Sequence, residues 1–215
     1  GLAPDGDPVV EEHAHGGVMS DGVGFAHAVR SRFFILFTLS YVFSMMAQVG
    51  ALAHQFRLVS TRTENDHIAA LAVSLMAAGS IGGRLIGGWV LPRMSSRHYL
   101  LGVMLLQTLA YAIFSISYAS VPLVAVSIVF GMTVGNLQMM LPLMMAEAFG
   151  LRAYARILSL AQMIVTCANA FGPMLVGLLY VRGGYAMSFS VLAGVSLVGL
   201  CCMIAAGPVR AELSR

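Results

Sequence analysis

Six apolar stretches of about twenty residues, joined by short polar connections, constrain this chain more than any other feature. They are FFILFTLSYVFSMMAQVGALAHQF (33–56), IAALAVSLMAAGSIGGRLIGGWVL (68–91), YLLGVMLLQTLAYAIFSIS (99–117), VPLVAVSIVFGMTVGNLQMMLPLMMA (121–146), ILSLAQMIVTCANAFGPMLVGLLY (157–180) and YAMSFSVLAGVSLVGLCCMIAA (185–206). Each is long enough to cross a hydrocarbon layer of roughly 30 Å as a helix. Only helices and closed barrels can do so, because every backbone polar group must be paired internally. The runs are rich in Ala, Leu, Met and Gly and lack the two-residue alternation of barrel strands. The expected fold class is an all-α integral membrane protein with six transmembrane helices. Residues 31–210 form the transmembrane domain, flanked by a polar linker (1–30) and a short tail (211–215).

The rest of the composition agrees. The chain is 59% hydrophobic and 10% charged, against about 25% charged in a soluble domain. Its net charge of +3 is too small and too dispersed to attract nucleic acid. Cys167, Cys201 and Cys202 lie in apolar runs and are expected to be small buried hydrophobes. No Cys or His spacing suggests a metal site, and no cofactor motif is present; His13 and His15 read as solvated. The chain opens without Met in an acidic, Gly- and Pro-rich stretch, which suggests a piece of a longer product. All twelve basic residues are arginine. With six spans, nine of them (Arg30, Arg32, Arg84, Arg93, Arg97, Arg152, Arg156, Arg210, Arg215) fall on the side of the termini and three (Arg57, Arg62, Arg182) on the other. The positive-inside rule then places both termini in the cytoplasm and the protein in the cell (inner, cytoplasmic) membrane.

Polar residues recurring on one helix face mark an interior seam or a cavity. In the fifth run Ser159, Gln162, Thr166 and Asn169 fall on one stripe, and Pro173 continues it. The first run carries Tyr41, Ser44, Gln48 and Gln55. In the fourth, Gly131, Gly135, Gln138 and Pro142 share a face, while Asn136 points about 200° away from Gln138. Such stripes either line an aqueous cavity or hydrogen-bond between helices. The fifth-run stripe, with Tyr41, Ser44, Gln48 and Gln138, is the expected cavity lining. The third run has Gln107 and Tyr111 and is otherwise apolar, and the sixth looks lipid-facing. Gly79, Gly83 and Gly87, spaced by four, make a smooth face for another helix; Gly131 and Gly135 repeat the pattern.

Arg84 stands inside the second run, about 10 Å from Leu91 along a helix. A charge at that depth costs roughly 2.5–3.5 kcal/mol on the insertion scale, so it must meet water, a partner or an anion. No acid lies one turn away. Arg84 either grips a carboxylate with its planar fork, or snorkels to the headgroups, or pairs with Glu147. Arg93 and Arg97 follow in a tight basic turn.

The stretch GRLIGGWVLPRMSSR resembles the helix 8–9 loop of the major facilitator superfamily, which repeats the signature G-R-x-x-x-G-x-x-x-D-R-x-G-R-R. Gly83, Arg84, Gly88, Arg93 and Arg97 match it, and Pro92 stands where the acid belongs. AEAFGLRAYARILS (146–159) is similar to the helix 10–11 loop, with Glu147, Arg152 and Arg156; NAFGPMLVG (169–177) is similar to the Gly-Pro break of helix 11. The resemblance covers residues 25–210. It implies the C-terminal half, helices 7 to 12, of a twelve-helix bundle whose N-terminal six-helix half is missing from this chain. In look the chain is closest to the monocarboxylate and oxalate:formate branch, where the helix-8 arginine contacts a substrate carboxylate. The second basic clamp of oxalate carriers has no counterpart in the fifth run, which favours a monocarboxylate or an uncharged solute.

The implied function is secondary transport of a small solute by alternating access across the lipid bilayer. By the resemblance the first, second, fourth and fifth runs would line the path, with Gly83, Gly88, Arg93, Arg97, Glu147, Arg152 and Arg156 in the cytoplasmic gating loops. Two alternatives stay open: an exporter of drugs or other uncharged solutes in which Arg84 is structural, and a non-transporting membrane protein. No nucleophile–base pair suggests an enzyme. This half offers no titratable group at mid-depth, since Glu147 lies near one end and His54 near the other.

Overall fold

The computed structural model describes residues 22–207. The reading of residues 1–21 as linker and of 208–215 as tail lies outside them. Seven helices follow in order: α1 (Phe25–Arg30), α2 (Arg32–Thr63), α3 (Asp66–Val90), α4 (Ser96–Ile116), α5 (Ser120–Phe149), α6 (Tyr154–Asn169) and α7 (Phe171–Ala206), with a 3-10 turn at Leu91–Arg93. The described residues contain no strand, only an isolated bridge between Gly22 and Gly150. Polar side chains start the helices. Ser31 accepts from Phe34 N, Asn65 from His67 N and Ile68 N, and Ser95 from His98 N, each filling an orphan donor of a first turn.

Five stretches are long and apolar enough to cross a membrane: Arg32–Thr63, Asp66–Arg93, Ser96–Ile116, Ser120–Phe149 and Tyr154–Ala206. The last has 53 residues, about 80 Å if straight, and it is not straight. It first steps at Ala170, between α6 and α7. Pro173 explains the position, because a proline ring clashes with the carbonyl four residues back, here that of Asn169. The chain then leaves helical geometry at Gly183 and Gly184 (φ 66°), the second in a region that favours glycine. Beyond it, Ser188 Oγ donates to Val176 O at 3.2 Å, although a straight helix would hold those residues about 18 Å apart. The Tyr180 and Tyr185 rings meet at 4.5 Å. α7 is therefore a hairpin of two limbs, 171–182 and 185–206.

The linker expected over residues 1–30 is helical at its end. α1 buries Ala28, and Val23 N donates to Phe149 O at 3.0 Å, so this segment is tied to the end of α5.

The bundle is held by two close helix contacts. α3 and α5 meet through both of their glycine faces. A Cβ on Gly79 would stand 2.5 Å from Ile128 O, and one on Gly83 2.6 Å from Met132 Cα. In return, Gly131 abuts Met76 O and Gly135 abuts Ser80 O. α2 meets both limbs of α7: Gly50 and Gly172 face each other, and Gly199 lies against Ser40 O and Ser44 Oγ. Aromatic rings fill one end, where Phe130, Tyr111, Phe114 and Phe189 make a connected set at 5.4–6.5 Å. Phe33, Phe37, Tyr41 and several methionines fill the other.

Arginines close the helix ends. Arg62, at the end of α2, donates to the carbonyls of Phe114, Ser115 and Ser117 and lies 4.5 Å over the Tyr118 ring. These are the unpaired carbonyls at the end of α4, where the helix dipole is negative. At the opposite face Arg97 donates to Ile204 O and Arg32 to Ala205 O, which caps α7 in the same way.

Two stability outcomes are expected. Gly131→Val forces backbone apart at Met76 and should cost about 1–3 kcal/mol, read as a lower melting temperature of the protein in detergent. Gly82→Ala, with nothing within 4 Å of the new Cβ, should leave it unchanged or slightly higher. Equal melting of both variants would refute the close-contact account.

Candidate functional site

Arg84 and Gln138, both singled out from the sequence, come together. Arg84 Nη2 donates to Gln138 Oε1 at 3.2 Å, and both residues are exposed on the bundle surface. Glycine makes the path. A Cβ on Gly135 would lie 2.9 Å from Arg84 Cγ, so the aliphatic stem of Arg84 crosses α5 at Gly135 and its guanidinium reaches Gln138 one turn on. The partner is neutral, and among the described residues no carboxylate pairs with Arg84. Glu147 is engaged elsewhere, accepting from Ser96 Oγ. The expected alternative of an Arg84–Glu147 pair is thus not formed.

The α6 stripe lies on an open face. Ser159, Gln162 and Thr166 are exposed and Asn169 is half-buried, with its Oδ1 unpartnered. A depression of about 490 Å³ is lined by Ser159, Gln162, Met163, Thr166, Cys167 and Leu158. Cys167, expected to be buried, is exposed here, and Cys201 is exposed as well; only Cys202 is partly covered. An apolar run in a membrane helix has lipid or cavity on one side, so apolar neighbours do not bury a thiol.

The α2 stripe goes the other way. Tyr41, Ser44 and Gln48, expected on the cavity, are at most 1% exposed, inside the bundle. The reason is position: α2 is covered by α3, α6 and both limbs of α7. Tyr41 Oη donates to Leu137 O at 3.2 Å, and Gln107 Nε2 donates to Ser44 O at 3.0 Å and to Tyr111 Oη. Gln107 and Tyr111, one turn apart on α4, are the other side of this seam, a pairing that the sequence hinted at only by their spacing. Gln48 and Gln55 keep both amide atoms unpartnered at full burial.

The loop residues divide by contact. Gly83 is buried against Met132, while Gly88 faces open space. Arg93 lies 4.1 Å over the Trp89 ring and donates to Trp89 O, closing the 3-10 turn in which Pro92 sits. Arg97 caps α7, as described, and Arg152 and Arg156 are exposed around the α5–α6 connection. Near the far end, half-buried His54 Nε2 lies 3.2 Å from Pro173 O, so that nitrogen is the protonated one.

The chain that folds into this glycine-packed helical bundle matches one family model, the Major Facilitator Superfamily, over residues 25–214. The chain belongs to the major facilitator superfamily. It is thus a multi-pass membrane protein of a transporter family. No curated protein shows a significant match to it. Both the Arg84–Gln138 pair and the α6 depression reach the surface of the bundle.

If the α6 depression holds water, the thiol of Cys167 reacts with a membrane-impermeant methanethiosulfonate, on the order of tenfold faster than half-covered Cys202. Mass spectrometry after timed labelling in proteoliposomes reads this directly. Equal rates would mean the depression is filled by lipid.

Proposed function

We propose that this major facilitator protein carries a small organic anion, a monocarboxylate, by alternating access, and that Arg84 is its anion contact. The observation that carries the proposal is a guanidinium deep in α3, exposed, and hydrogen-bonded to a neutral amide rather than to an acid. Removing such a charge from water is costly unless an anion completes it. Gln138 holds one edge of the guanidinium in place, which leaves its remaining N–H donors for the two oxygens of a carboxylate. The amide nitrogen of Gln138 adds donors beside them.

The rest of the machine is proposed on the same footing. The break at Gly183–Gly184 divides the last stretch into two, so six spanning segments make up this bundle. Arg84, Gln138, Ser159, Gln162 and Thr166 are polar groups on its outside. Lipid would leave them unpaired, whereas a second six-helix half would enclose them in an aqueous path between two rocking bundles. Both termini are assigned to the cytoplasm from the arginine bias.

Uptake of radiolabelled lactate, pyruvate and formate by the protein in proteoliposomes tests this. Arg84→Gln should lower uptake by at least about tenfold, with normal membrane insertion, since a hydrogen-bonded charge pair is removed. Arg84→Lys keeps the charge without the fork and should raise KM more than it lowers kcat. Undiminished uptake in Arg84→Gln would overturn the carboxylate assignment. It would favour the alternative in which Arg84 only ties α3 to α5 and the solute is uncharged.

A further inference from the structure

Arg84 stands in a glycine-rich part of α3. Gly82, Gly83, Gly87 and Gly88 flank it within about one turn on either side, and glycine is the residue that restrains a helix backbone least. An arginine on so loose a backbone, with a long stem of its own, has many directions open to it. Gln138 holds the guanidinium at 3.2 Å, but a bond at the tip of a side chain does not fix its root.

The root is held from the other flank of α5. Asn136 Nδ2 donates to Gly83 O at 3.0 Å and to Met132 O at 2.8 Å. Gly83 O belongs to the peptide unit that joins Gly83 to Arg84, so the first of these bonds grips the backbone from which Arg84 leaves. Both amide hydrogens of Asn136 are used and the side chain is 5% exposed, which fixes its orientation. Its Oδ1 stands over Gly87 beside Tyr99 Oη of α4: a Cβ on Gly87 would lie 2.4 Å from the first and 2.5 Å from the second. Only glycine at that position leaves the amide its place. Gly135, Asn136 and Gln138 thus hold the stem, the root and the tip of one arginine. Asn136 lies about 200° around α5 from Gln138, away from the face on which a solute would arrive.

We propose that Asn136 is a positioning residue for Arg84. By pinning the Gly83–Arg84 peptide it sets the direction of the guanidinium, and so the strength with which Arg84 and Gln138 bind a carboxylate, without meeting the solute itself. Gly87 belongs to the same device, because its missing side chain admits the Asn136 amide. The inference rests on the reading of Arg84 as the anion contact.

Two readouts test this. The first is the rate at which phenylglyoxal modifies Arg84 in lipid nanodiscs, followed by peptide mass spectrometry, which reports the freedom of the guanidinium without reference to transport. Asn136→Leu removes the pin and Gly87→Ala pushes the amide aside. Both should raise the Arg84 rate about fivefold, the worth of one hydrogen bond, while Gly82→Ala, with open space around its Cβ, should leave it unchanged. The second readout is lactate uptake in proteoliposomes. The same two variants should raise KM about fivefold with little change in kcat, whereas a loss of packing alone would lower kcat or the amount of inserted protein. In the Arg84→Gln background Asn136→Leu should add nothing to the loss of uptake, since it acts through Arg84. Unchanged modification of Arg84 in both variants, or an equal further loss of uptake in the Arg84→Gln background, would overturn the inference. Undiminished uptake in Arg84→Gln would overturn the carboxylate reading and with it the part of Asn136 in anion affinity, leaving the modification rate to judge the contact alone. Gly87→Ala adds a single methyl group, so the test stands even if Asn136→Leu fails to fold.

Discussion

Backbone-to-backbone contact between α3 and α5 is the constraint on which the rest of this bundle depends. Inside a bilayer, helices gain nothing from hiding apolar surface from one another, so close fit and a few polar contacts must hold them. Glycines on both helices remove the side chains that would keep the backbones apart, at Gly79 and Gly83 on one and at Gly131 and Gly135 on the other. That fit fixes rotation as well as distance. With Gly135 against α3, Gln138 is brought to Arg84 on one flank and Asn136 to Gly83 on the other. A single glycine register thereby positions two chemically different polar contacts.

The interior runs against the pattern of a soluble protein. Large apolar residues such as Ile81, Leu85 and Val181 are outside, more than 60% exposed, where lipid is an adequate solvent. Inside, hydroxyls and amides stitch helices together: Tyr41 to α5, Gln107 to α2, and Thr108 to Ser196 at 2.8 Å. Each such bond adds little to stability, but an unmatched group in hydrocarbon costs more than a matched one gains. These bonds therefore act chiefly by penalising any other rotation of the helices.

The sequence made some of this legible and could not reveal the rest. That the chain is built of apolar membrane-length helices was readable because the thickness of the hydrocarbon layer sets a minimum run. The glycine faces were readable because a spacing of four puts residues on one side of a helix, but nothing in either pattern said that the two faces meet. The stripes on α2 and α6 have nearly the same spacing, yet Ser44 and Gln48 point inward and Gln162 and Thr166 outward. Periodicity identifies a face and is silent about its direction, which only the packing of neighbours supplies. Arg84 stood out by its cost, whereas its partner Gln138 depended on the α3–α5 register. α1, six residues long, is too short to carry any period at all.

The two close contacts also cross between the halves of the chain. α3 packs on α5, and α2 packs on both limbs of α7. The helices made first find their tightest neighbours among those made last. The early segments have to sit in the membrane with bare glycine faces until the later ones arrive beside them. During synthesis, then, the first three helices form no finished unit, and whatever machinery inserts this protein must shelter them until α7 has turned back at Gly183–Gly184.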